Sequence, residues 1–113
     1  MFYKKRNIQI INYNYNYLNH TIINNINILY TKLNLPKEVL KISLHYLNKL
    51  NNINKNIILN DYVFISIIIA LKYTEDYLFS IKNMCNIINY NYDIYKENEL
   101  KFLKLLNWDL FIN

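Results

Sequence analysis

Lys72 and Glu99 are charged residues that the helical pattern sets on apolar faces. Wound at about 100° per residue, Lys72 projects on the side of Ile65, Ile68 and Ile69. Glu99 points almost opposite the exposed strip of Glu97, Lys101 and Lys104, and falls among Phe102, Leu103 and Leu106. A charge beside apolar surface is costly unless it is paired or hydrogen-bonded. From pattern alone two simpler readings stand. Each charge can complement its own helix dipole, Lys72 at the negative end and Glu99 near the positive start, or the two can pair with each other across a groove.

The remaining reactive groups form no catalytic set. Asp61, Glu75, Asp76 and Asp109 are explained as helix caps and ends, without invoking paired carboxylates for proton transfer. His20 and His45 lie on polar faces with no partner at metal-ligand spacing, so solvated imidazoles and no metal site are expected. Cys85 falls on an inner stripe and reads as a core thiol. With no glycine in the chain, a phosphate or dinucleotide cradle is excluded, because both need close backbone approach. The expectation is a protein that is not an enzyme, with no cofactor and no small-molecule ligand.

Composition narrows the partners. A chain of 113 residues allows one domain with a modest core. Its net charge of +5 comes without a dense basic patch, since Lys4, Lys5 and Arg6 make the one local cluster, and nucleic acid is not expected as a partner. Tyrosines of the leader could stack on single-stranded RNA, but the lysines are not interleaved with them. The single cysteine and the lack of a signal-peptide pattern fit an intracellular setting, nucleus or cytoplasm. The abundance of Asn, Ile, Lys and Tyr reads as drift toward A/T-rich codons.

The elements that must hold Lys72 and Glu99 follow from periodicity. The stretch Asn60 to Asp76, NDYVFISIIIALKYTED, is apolar on every side from Val63 to Leu71, which predicts a buried central helix. That run is far shorter than the roughly twenty residues of a bilayer crossing, so no membrane span is expected. Ser66 and Ala70, one turn apart, would admit a neighbouring helix at close range. Before it, residues 1–13 read as a leader. Leu18, Ile22, Ile26, Leu29 and Leu33 predict a first amphipathic helix, with Asn19, His20, Asn24 and Asn27 facing away. Asn34 and Pro36 mark a stop and a new start. Val39, Leu40, Ser43, Tyr46, Leu47 and Leu50 form the inner side of a second helix, and Lys37, Lys41, His45 and Lys49 its wet side. Residues 51–56 read as a loop, and Asn60 or Asp61 as the cap of the central helix. Ser80 caps a fourth helix lined by Ile81, Met84, Cys85, Ile87 and Ile88, a fifth begins near Tyr95 or Lys96, and Trp108, Leu110, Phe111 and Ile112 close the bundle. The fold class is all-α, with residues 14–113 as a single five-helix domain.

This helix order, with ALKYTED ending the third helix and NELKFLKLLNWDL through the fifth, resembles the cyclin box, the module that activates cyclin-dependent kinases. The likeness covers roughly Tyr15 to Ile112. Lys72-Tyr73-x-Glu75-Asp76 together with Glu99-x-x-x-Leu103-x-x-x-x-Trp108-Asp109-Leu110 makes a strong combined signal, whereas either alone would be weak. Within the family, YLNKL, the Asp76-x-x-Phe79 step and FLKLLNWDLFI are most similar to the single-box P-type and U-type cyclins. The resemblance implies that Lys72 and Glu99 bond to kinase backbone beside its αC helix. It also implies that Ile69, Tyr73, Leu103 and Leu110 form a pocket for an αC side chain. The implied partner is a cyclin-dependent kinase in a heterodimer, held in its active state to control the cell cycle or related signalling. The alternative is a cyclin-fold interaction module of transcription, without kinase activation. A substrate-docking patch is not recognisable in the first helix, NHTIINNIN, and no such recruitment is expected.

Overall fold

A computed structural model describes residues 20–74 and 80–111. Its described residues form five α-helices and no strand: α1 (His20–Lys32), α2 (Lys37–Ile53), α3 (Val63–Thr74), α4 (Ile81–Ile88) and α5 (Tyr92–Leu105). The leader, Leu18, Asn19, Glu75, Asp76, Phe79 and Ile112 lie outside them. The all-α architecture expected from periodicity is the one observed.

The central rod is α3. Every residue from Val63 to Leu71 is buried, and α2 packs along it most extensively. Ser66 and Ala70 are wholly enclosed, and Ser66 resolves the burial of its hydroxyl by donating to Val63 O at 2.7 Å. Around α3 the core takes Ile22, Ile26 and Tyr30 from α1, eight residues of α2, and Tyr95 and Phe102 from α5. Phe64 contacts the rings of Tyr90 and Tyr95 at centroid distances of 5.1 and 5.9 Å.

Without glycine, asparagine turns the chain. Asn34, Asn89 and Asn107 follow the ends of α1, α4 and α5 at φ of 53°, 58° and 56°. Each donates its N–H back to a carbonyl of the last turn, and the next residue reaches one residue deeper: Leu35 to Tyr30 O, Tyr90 to Cys85 O and Trp108 to Leu103 O. These are Schellman closures, which require a left-handed residue. Asparagine is the residue after glycine that best tolerates one.

Several boundaries and faces differ from expectation. Helix α2 runs on through Asn51, Asn52 and Ile53, closed by Asn54 N–H on Leu50 O at 3.2 Å. Helix α5 begins at Tyr92, a turn before Tyr95, because the Asn91 side chain accepts from Ile94 N and Asp93 supplies negative charge in the first turn. Ser80 does cap α4, accepting from Asn83 N at 3.2 Å. At α3 the sequence cap is replaced by a 3₁₀ turn, Leu59–Tyr62, anchored by buried Leu59. Ile87 faces outward, whereas Met84 and Cys85 are inside. Burial raises the pKa of the Cys85 thiol, as suits a core residue.

Candidate functional site

The C-terminal end of α3 and the outer face of α5 enclose a groove of about 270 Å³ lined by Ile69, Lys72, Tyr73, Glu99, Leu103, Trp108 and Leu110. All six residues singled out in the sequence, Lys72, Glu99, Ile69, Tyr73, Leu103 and Leu110, therefore meet in one place. Spacing explains the convergence. Ile69, Lys72 and Tyr73 sit at i, i+3 and i+4 on α3, and Glu99 and Leu103 at i and i+4 on α5.

Lys72 Nζ donates to Glu99 Oε2 at 2.6 Å, so the two charges pair across the groove in the free chain. The ammonium is the outer member, its side chain 46% exposed against 19% for Glu99. Tyr95, one turn before Glu99 and buried, donates its hydroxyl to the same Oε2 at 2.7 Å. Burial and the acceptor carboxylate both push the Tyr95 phenol well above its ordinary value, so it stays a proton donor. Both bonds fall on one oxygen. An ammonium has three protons and a carboxylate about four acceptor positions, so neither group is saturated.

Residues 107–111 form the other wall. Trp108 stands in the left-handed region at φ 60° and is 59% exposed, and Phe111 also faces out. The expectation that the apolar tail closes the bundle is corrected: the turn after Leu106 abandons the helical register, leaving Leu106 buried and Leu110 half-buried. The tail is tied to α2. Lys49 Nζ donates to Asp109 O at 3.1 Å and Phe111 O at 2.7 Å and pairs with Asp109 Oδ1 at 3.4 Å, while Tyr46 OH donates to Leu110 O at 3.2 Å. Burial lifts the Tyr46 phenol to about 12, which keeps that donor intact.

Lys49 and His45, assigned to the wet side of α2, are not simply solvated. Lys49 is half-buried under the tail, and the Nε2 of His45 is enclosed without a partner. Burial first, and then the nearby Lys49 charge, hold the His45 pKa below 6.5, against a smaller opposing pull from Asp109. His20 is exposed as expected. On α1, Asn27 is half-buried with an enclosed, unpartnered Oδ1 instead of facing away.

Sequence reasoning missed Tyr95, Trp108 and Lys49 as parts of this site. The Tyr95 to Glu99 spacing of four on one helix was a usable signal. Lys49 reaches across 60 residues to carbonyl oxygens, which leave no side-chain pattern to read. No group of three metal-ligating side chains occurs among the described residues, and no helix of theirs is long and apolar enough to cross a membrane. At about 270 Å³ the groove lies under the roughly 300–1,000 Å³ typical of small-molecule sites, and its apolar floor suits an inserted side chain. No curated protein and no solved structure matches the chain. Residues 4–111 match the family model described as cyclin, N-terminal domain.

Proposed function

The chain belongs to the cyclin N-terminal-domain family, a family of regulatory, protein-binding modules, and from that premise we propose that it binds and activates a cyclin-dependent kinase. In this reading the groove receives a side chain of the kinase's αC helix between Ile69, Tyr73, Leu103 and Leu110. Trp108 covers the flank. Lys72 and Glu99 turn their unused donors and acceptor toward kinase backbone, each such charge-assisted bond contributing about 1.5–3 kcal/mol.

The effect is allosteric. A protein kinase is active when the αC glutamate pairs with the lysine of strand β3 and the phosphates are held. A rigid groove that fits only the inward αC shifts the kinase toward that state, and the cyclin supplies no catalytic group. A P-type or U-type character and action on the cell cycle in nucleus or cytoplasm belong to the same proposal, with no cofactor, nucleic acid or membrane involved. The observation that supports it most is the convergence of the six residues around an ion pair set in apolar surface. Co-expression with cyclin-dependent kinases tests it. A stable heterodimer with histone-kinase activity is expected, and Lys72→Glu and Glu99→Arg should each weaken it. Normal binding by both folded variants would remove the assignment.

A further inference from the structure

The groove is built from three parts of the chain, and two of them, α3 and α5, are fixed by the core. The third, residues 107–111, runs beyond the last helix with few bonds of its own. The Trp108 and Asp109 amides close the turn on Leu103 O and Leu106 O, and Phe111 N reaches only Asp109 Oδ1 at 3.2 Å. The carbonyls of Asp109, Leu110 and Phe111 are met instead by two side chains of α2, Lys49 and Tyr46. We propose that Lys49 is a positioning residue which, with Tyr46, clamps the 109–111 strap to α2 and thereby sets the Trp108 and Leu110 wall of the groove.

Three observations converge on the clamp. One ammonium meets two strap carbonyls, those of Asp109 and Phe111, and one strap carboxylate, that of Asp109, all within three residues of chain. Main-chain acceptors fix where the strap lies, and not merely its net charge. The Lys49 stem is largely covered, so its head is not free to wander as a surface lysine does. Lys49 is not among the residues that line the groove, so its effect on a side chain seated there passes through the strap.

The inference rests on the proposed kinase groove for its functional consequence, and on the free chain for its structural one. Trp108 is the sole tryptophan, so a fluorotryptophan label gives one fluorine resonance that reports the strap directly. In Lys49→Met that resonance should move toward its position in the denatured chain, and affinity for a kinase bound by the parent chain should fall about tenfold, the loss of one or two hydrogen bonds. Lys49→Arg should return both, and the far-ultraviolet circular dichroism of all three proteins should agree. Tyr46→Phe should move the resonance the same way by less, and it carries the test if Lys49→Met does not fold. A resonance and an affinity unchanged in Lys49→Met or, failing that, in Tyr46→Phe would overturn the clamp. Should the parent chain bind no kinase, the functional reading fails, while the fluorine shift still decides the clamp.

Discussion

Helix α3 has a groove at each end, and the two are alike in size but not in kind. At the C-terminal end, about 270 Å³ is framed by the Lys72–Glu99 pair and rimmed by Trp108 and Tyr73. At the N-terminal end, about 210 Å³ is lined by Asn25, Ile28, Leu29, Lys32, Asn60, Asp61, Val63, Phe64, Ile88 and Tyr90. There an Asn25 Nδ2 to Asn60 Oδ1 bond of 2.5 Å ties α1 to the 3₁₀ turn, so two of its amides already satisfy each other. Volume therefore does not tell the two grooves apart. The difference is that one groove is framed by an ion pair with unused donors and acceptors beside an open indole, and the other is laced by an amide pair, with Lys32 and Asp61 also in its lining.

The largest effect that could break this contrast is Leu103→Asp. It places an unpaired carboxylate on the floor of the first groove, and kinase affinity should drop by a hundredfold or more, measured by calorimetry against an unchanged dichroism spectrum. Retained binding would put the partner elsewhere. Next, Lys72→Glu and Glu99→Arg should each weaken binding ten- to a hundredfold, yet shift stability by under about 1 kcal/mol, because the pair is partly exposed. The double swap restores opposite charges in the free chain but presents them reversed to the kinase, so it should not restore binding.

Tyr95→Phe removes one donor to Glu99 and should cost about 0.5–1.5 kcal/mol in kinase affinity, a roughly two- to thirteenfold loss. As the matching control, Ile28→Asp in the second groove should leave kinase affinity within twofold; a tenfold loss would erase the distinction between the two ends. The smallest effect is the pH dependence from His45. Its folded pKa is held below 6.5, so the unfolded chain takes up the proton first. The stability is complete above 6.5 and declines as pH falls from there through the folded value. The urea midpoint should be lower at pH 5.5 than at 7.5, and His45→Gln should flatten part of that slope.

The same contrast explains what the sequence disclosed. Helix α3 was legible because nine successive residues, Val63 to Leu71, left no wet face, and Lys72 and Glu99 because each departed from a regular stripe. Ile69, Tyr73, Leu103 and Leu110 were named as a pocket through the family resemblance, and periodicity independently set only Lys72 and Glu99 on apolar faces. The start of α5 was misplaced because its signal was an asparagine cap, hidden among the many asparagines of the chain. The fate of Trp108 was misjudged for a related reason: a left-handed turn at Asn107 resets the register, and composition gives no warning of it. Lys49 and His45 looked solvated because facing angle on one helix cannot report what the chain's far end lays over it.

Trp108 has one more implication. A bulky residue at φ 60° is an outlier, and such strain, of order 1–3 kcal/mol, persists only where neighbours dictate the conformation. Here the turn's closures on Leu103 and Leu106 dictate it. The backbone under the indole is thus set before any encounter, and a protein that covers the ring need not order that backbone. A preset backbone at this one residue would appear as a long residence time of the complex more than as a fast association rate.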